Sequence, residues 1–274
     1  MNKLTTDKRV AIVKALVEGN SIRSTVRMTG ASKNTVVKLL VDLGTACSEY
    51  QNTVMRNLPL RRLQVDEIWS FVYSKQKNVP ADHQGEFGFG DVWTFTAIDA
   101  ETKLVPCWLI GLRDGGCARE FITDLASRLA NRVQLTTDGH KMYLEAVEAG
   151  FGGEVDYSML VKLYGKEQVG EARYSPSKFN GSKRTSIVGN PDREHVSTSY
   201  VERQNLTMRM TMRRFTRLTN GFSKKVENLA HSVAIHYMYY NFCRIHQTLR
   251  STPAMRAGVA DHLWTVEEMV GLLG

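Results

Sequence analysis

The chain has 274 residues, 36 Lys and Arg against 28 Asp and Glu, and a formal charge of +8, so it accommodates one large domain plus a small one and favours a polyanionic partner, nucleic acid foremost. Its four cysteines, Cys47, Cys107, Cys117 and Cys243, are scattered without a CxxC pair, which argues against a zinc site or a disulfide framework. There is no apolar signal core and no membrane-length run, so the expectation is a cytoplasmic, nucleoid-associated protein with no membrane contact.

Residues 6–44 read as three helices. Asp7 to Glu18 carries Val10, Ile12, Val13 and Ala15-Leu16 and stops at Gly19. Ser21 caps a second helix, Ile22 to Met28, and Thr29-Gly30-Ala31 turns the chain. Ser32 caps a third helix through Leu43, expected to end at Gly44. Two short helices about a glycine turn have the form of a helix-turn-helix, whose second helix offers its N-terminal polar side chains to the major groove. Here those are Ser32, Lys33, Asn34, Thr35 and Lys38. The competing reading is a small helical bundle used for dimerisation. The expected division is a helix-turn-helix domain over 1–45, a connector over 46–62, an α/β domain over 63–255 and a helical tail over 256–274.

Within the α/β region, Leu63 to Val72 reads as a buried strand and Val92 to Ile98 as a second. Asp99 to Lys103 is a hairpin turn, with Leu104 to Ile110 returning. An amphipathic helix follows over Gly115 to Ala130, with Phe121, Ile122, Leu125 and Leu129 inward. Then come a strand Val133 to Asp138, a helix Met142 to Ala149 and a strand Tyr157 to Leu163. The order β-β-β-α-β-α-β is that of a ribonuclease H-like mixed sheet flanked by helices. Residues 164–199 lose regularity and gain Lys166, Arg173, Lys178, Lys183 and Arg184. They read as a basic insert, either a DNA-contacting arm or a disordered excursion. The remainder is helical: a basic helix opened by Glu202, an apolar one over Val226 to Ile245, and another begun by Thr252-Pro253.

Three acids occupy settings that fit one chemical task. Asp66 lies in the first strand, Asp138 ends the strand Val133 to Asp138, and Glu202 opens the basic helix. Carboxylates at two strand ends and on a crossing helix can hold two divalent ions such as Mg²⁺, about 3.5–4 Å apart in two-metal phosphodiester chemistry. Glu67 alternates to the opposite face of its strand and reads as a supporting partner. Asp99 reads as a turn residue, and Asp192 and Glu194 are weaker candidates. Asn205 and Arg209 follow Glu202 by one and two helical turns, and Arg213, Arg214, Arg217, Lys224 and Lys225 continue a basic row suited to phosphate. His140 either orients a scissile phosphate or is an ordinary turn histidine. Trp69, Trp93 and Trp108 read as core residues.

The blocks Val65-Asp66-Glu67-Ile68-Trp69, Thr137-Asp138-Gly139 and Tyr200 to Arg209 resemble the DDE transposases of the insertion-sequence-one family, as do Arg213 to Thr219 and Phe222 to Lys225. The resemblance covers most of residues 60–255. It implies that Asp66, Asp138 and Glu202 are a catalytic metal-binding triad with two Mg²⁺ or Mn²⁺ ions per active site. It further implies recognition of terminal inverted repeats in double-stranded DNA, 3′-end cleavage by water and attack of the freed 3′-OH on target DNA. A homodimer or higher oligomer on DNA is expected, because two element ends must be held together. The chain departs from family prototypes in lacking the cysteines of a zinc-binding finger and in the length of the basic insert. Two other functions share the same residues: a nuclease of this fold that cuts without joining, and a non-catalytic DNA-binding regulator.

Overall fold

The segment RLQVDEIWSFV is rich in β-branched and aromatic residues, which favour a pleated, buried strand. In the computed structural model, which describes residues 4–165, 179–216 and 219–274, it forms the central strand β1 (Arg62–Val72). Its side chains alternate between two apolar cores: Leu63 and Val65 enter one, Ile68 and Val72 the other. A strand covered on both faces reads as a near-continuous apolar run.

Strand β2 (Gly90–Asp99) pairs antiparallel with β1, and β3 (Trp108–Gly111) antiparallel with β2. On the other side, β4 (Val133–Asp138) runs parallel to β1 and β5 (Val155–Tyr164) parallel to β4. A sixth strand, β6 (Phe179–Val188), pairs antiparallel with β5, giving the order β3-β2-β1-β4-β5-β6. The architecture is α/β, a mixed sheet of ribonuclease H-like order flanked by helices, as the sequence led us to expect.

Helices α4 (Gly115–Ser127) and α5 (Met142–Phe151) place Phe121, Ile122, Leu125, Tyr143 and Val147 in the first core. Asp114 caps α4 by accepting from the amide of Cys117 at 2.9 Å. Helix α6 (Ser199–Thr211) contributes Val201 and Met208 to the second core. Helix α7 (Val226–Met238) feeds both cores, through Val233 and Tyr237 to the second and Ala234 and Met238 to the first. A π-helical turn (Tyr239–Cys243), α8 (Pro253–Arg256) and α9 (Val266–Gly271) close the chain.

At the N-terminus, α1 (Thr6–Val17) and α2 (Ile22–Thr29) are followed by α3 (Lys33–Val54). Gly30 takes the left-handed conformation, φ 66°, that the turn between α2 and α3 requires. Gly44 does not end α3 as expected: the helix runs ten residues further, and a Cβ at Gly44 would lie 2.6 Å from His231 Cα. Glycine is there to let the backbones of α3 and α7 approach, so packing rather than termination explains it. These helices share the first core with the sheet, and Lys14 on α1 pairs with Glu267 on α9 at 2.9 Å.

The expected insert also contains regular structure. Its second half is β6, whose side chains are mostly exposed, so no burial alternation marks it in the sequence. Backbone pairing to β5 holds it at the sheet edge. Lys166, Arg173 and Lys178 lie outside the described residues. Among the described residues no helix is long and apolar enough to cross a membrane.

Candidate metal and phosphate site

The parallel register of β1 on β4 explains how two acids distant in sequence become neighbours. Val65 pairs with Thr137, and the next residue on each strand is Asp66 and Asp138. Asp138 ends β4, whereas Asp66 lies mid-strand in β1, not at a strand end as expected; the two meet because the β1–β4 pairing stops at Val65 and Thr137 while β1 continues to Val72. Asp66 is on the strand face that meets α6: its Oδ2 accepts from Asn205 Nδ2 at 2.9 Å and its Oδ1 from the Glu67 amide at 2.9 Å. Burial, reinforced by the negative charge of Glu67 and then of Asp138 and Glu202, pushes the Asp66 carboxyl up to about 7. Asp138 Oδ1 accepts from the His140 amide at 2.9 Å, closing a turn around Gly139. A Cβ at Gly139 would lie 2.6 Å from Val161 Cγ2, so glycine lets β5 pass close beside Asp138.

Glu202 arrives from the other side of the cleft. Gln64, two residues before Asp66 on the same strand face, accepts with its Oε1 from the amides of Tyr200 (2.8 Å) and Val201 (3.2 Å). That side chain caps the N-terminus of α6 and fixes where its first turn sits over the sheet. Glu202 lies in this turn, where the helix dipole favours a negative charge. Its Oε1 accepts from Thr198 Oγ1 at 2.6 Å, and the ammonium of Lys162 donates to both of its oxygens. Asp66, Asp138, His140, Lys162, Thr198 and Glu202 line one open cleft of about 510 Å³.

Glu67 joins this acidic site from behind. Its side chain is fully buried and receives Arg113 Nε at 2.5 Å and the Tyr143 hydroxyl at 2.8 Å. Arg113 also reaches Asp138, Nη2 to Oδ2 at 3.8 Å, and lies 4.6 Å over the ring of Trp93. One carboxylate oxygen from each of Asp66, Glu67 and Asp138 falls within 4.8 Å of the others. Such a set of hard oxygen donors fits Mg²⁺ or Mn²⁺. The Lys162 ammonium, itself a cation, already sits on the Glu202 carboxylate, so both halves of the cleft favour positive charge.

The sequence did not reveal Gln64, Lys162, Arg113 or Tyr143, because each acts through a tertiary contact with no local signature. Two expected DNA contacts are placed elsewhere. Asn205 is buried and faces Asp66, since a spacing of three from Glu202 turns it toward the sheet. Arg214 points inward, donating to Ser223 Oγ (2.7 Å) and Ser232 Oγ (3.1 Å), and burial lowers its pKa to about 10. Arg213 is exposed, Arg209 is partly exposed, and Arg217 lies outside the described residues. On α3, Ser32 Oγ accepts from the Thr35 amide at 3.1 Å, Ser32 and Thr35 hydroxyls share a 2.8 Å hydrogen bond, and Lys38 pairs with Asp42 at 2.6 Å. Lys33 and Asn34 are exposed on the first turn. Asp99 is the expected turn residue: buried, its Oδ2 accepts from the amides of Glu101 and Thr102 at 3.1 and 2.7 Å. Trp69, in contrast, belongs to neither apolar core, contrary to the reading of it as a core residue.

No protein-family model and no curated protein sequence matches the chain. Among solved structures, a piggyBac transposase synaptic complex with hairpin DNA is similar at 10% identity and a TM-score of 0.42, over 99% of this chain and 71% of that one. A score at that level identifies neither family nor activity.

Proposed function

We propose that this chain is a DDE-type DNA transposase of the insertion-sequence-one kind, which binds terminal inverted repeats and catalyses 3′-end cleavage followed by strand transfer. The observation that supports this reading is the convergence of Asp66, Asp138 and Glu202 on one cleft, the first from the middle of β1, the second from the end of the adjacent parallel strand and the third from a helix capped by β1. In this reading Asp66, Asp138 and Glu202 are the metal ligands. A bound pair of Mg²⁺ or Mn²⁺ ions supplies activation of the attacking oxygen and stabilisation of the leaving oxygen.

The chain's own residues do the rest. Asn205 fixes the orientation of Asp66, and Gln64 sets α6 so that Glu202 faces it. Arg113 offsets the charge of Glu67 and keeps Asp138 directed into the cleft. His140, at the cleft wall, is within reach of a phosphate held there. Arg209 and Arg213 extend the cleft's positive border along and beyond α6, where phosphates of the element end would run. Helices α2 and α3 form the helix-turn-helix, with Lys33 and Asn34 as its base-reading side chains.

A strand-transfer assay with the purified chain, Mg²⁺ or Mn²⁺ and a pre-cleaved inverted-repeat end tests this. Joining to a target plasmid, lost in Glu202→Gln while end binding stays nearly intact, is the expected result. Cutting without joining would make the chain a nuclease, and end binding without either reaction would make it a regulator.

A further inference from the structure

Five aromatic side chains, Trp69, Phe71, Tyr73, Phe89 and Phe222, belong to neither apolar core and instead form a row. Trp69 and Phe71 alternate along β1, and Tyr73 follows its last residue. Ring centroids are 5.8 Å apart for Trp69–Phe71, 4.8 Å for Phe71–Phe222 and 4.9 Å for Tyr73–Phe89. Lys224 joins the two halves, its ammonium 4.4 Å from the Phe222 centroid and 5.6 Å from that of Tyr73. Tyr73 is 39% exposed and holds a left-handed φ of 65°, a conformation that costs a bulky residue energy and recurs at functional positions.

The row starts two residues beyond Glu67 and shares its sheet face, opposite the face on which Asp66 meets α6; the link to the carboxylates is Arg113, which reaches Asp138 at 3.8 Å. Trp69 stands opposite Trp93 in the β1–β2 register, and Arg113 lies over Trp93. Exposed Lys224 lies on the row, with exposed Lys75, Lys77 and Lys225 close to it in sequence, against the exposed Asp82 and Glu86 and the half-buried Asp91. Glu86 holds His83, which stacks on Phe89 at 4.0 Å, so Glu86 marks the far end, whereas Asp91 stands opposite Phe71 in the β1–β2 register. Rings left out of the core, interleaved with cations and adjoining a phosphodiester site, have the chemistry of a surface that stacks bases and neutralises phosphates.

We infer that Trp69, Phe71, Phe222 and Tyr73 form a stacking platform for unpaired DNA bases flanking the scissile phosphate. A duplex hides its base faces, so the occupant is a strand opened beside the cut, held without sequence preference because every base has a π-face. This inference rests on the proposed DNA-cutting function of the neighbouring cleft.

Fluorescence anisotropy with the full chain tests it, using a 12-nucleotide oligo-dT, an abasic strand with the same phosphates and a duplex element end. Wild type should bind oligo-dT at least about tenfold more tightly than the abasic strand, the gain of roughly one stacked base. Trp69→Ala and Phe222→Ala should each shrink that ratio severalfold, Phe222→Tyr should keep it, and duplex binding and the circular dichroism spectrum should not change. Equal binding of oligo-dT and the abasic strand by wild type, with duplex binding intact, overturns the platform alone. Binding of none of the three probes overturns both the platform and the proposed function. A wild-type dimer that Phe222→Ala converts to monomer, with no loss of oligo-dT preference, assigns the row to a contact between copies and also overturns the inference.

Discussion

Lys162, on β5, donates its ammonium to both carboxylate oxygens of Glu202, at the first turn of α6. The pair is partly exposed, with side-chain accessibilities of 29% and 41%, so its contribution is small, up to about 1 kcal/mol. A metal ligated by Glu202 must displace this ammonium. Lys162→Met should therefore tighten Mn²⁺ binding by about fivefold, the equivalent of that 1 kcal/mol, and slightly lower the melting temperature of the metal-free protein. Calorimetric titration checks the first effect and thermal unfolding the second. An unchanged Mn²⁺ affinity would mean that Lys162 leaves Glu202 at no cost.

Gln64 links the strand that carries Asp66 to the helix that carries Glu202. It is 3% exposed, and its Oε1 serves two helix amides. Gln64→Ala leaves those donors unpaired and should cost about 1–2 kcal/mol of stability. Activity should fall further than stability accounts for, because the first turn of α6, which brings Glu202 to the cleft, loses its fixed position over the sheet. Urea unfolding and single-turnover cleavage of an element end separate the two. Gln64→Glu, which keeps the acceptor, should recover stability better than Gln64→Ala.

Glu67 tests whether the third acid near Asp66 and Asp138 is a support or a ligand. Its buried carboxylate is matched by Arg113 and Tyr143. Glu67→Gln leaves Arg113 only its longer ion pair to Asp138 and should destabilise by about 2–3 kcal/mol, below the usual cost of breaking a buried pair because Arg113 is 35% exposed. Two Mn²⁺ per chain should still bind, as counted by titration calorimetry. Loss of one equivalent would place Glu67 among the ligands.

The sequence exposed the parts of the site governed by local pattern. Asp138 is conspicuous as an acid ending an apolar strand and Glu202 as an acid at the head of a basic helix; the sequence suggested a strand end for Asp66 too, but it lies in the middle of β1. It could not show that β1 and β4 align with Val65 opposite Thr137, since register is set by both cores together. Gly44 misled because a glycine inside a helix, placed for the approach of α7, looks like a terminator. Strand β6 was hidden because an exposed edge strand lacks the apolar alternation by which strands are recognised. Trp69 looked like core because an aromatic residue on a strand normally is; the tertiary structure leaves the Trp69–Phe71 face of β1 outside both apolar cores while Ile68 and Val72 on the other face stay covered.

Helix α7, which packs into both apolar cores, carries a buried histidine that should make stability depend on pH. His236 on α7 is 5% exposed, its Nε2 has no hydrogen-bond partner among the described residues, and its ring makes contacts with those of Tyr237 and Tyr240. Burial, with the positive charge of Arg244 adding to it, lowers its pKa to about 3. In the unfolded chain the same group titrates near 6.5. Above about pH 6.5 it is neutral in both states and imposes no penalty. As pH falls from there, the unfolded chain takes up the proton and the folded chain does not, so stability drains away until about pH 3. At pH 5 the loss from this group should be roughly 2 kcal/mol. His236→Phe keeps a ring against the two tyrosines and removes the titration. The difference in urea midpoint between wild type and His236→Phe should therefore be flat above pH 7 and shift steadily against wild type from pH 6.5 to pH 4. A difference that stays constant over that range would mean that His236 reaches solvent or a proton acceptor in the folded chain.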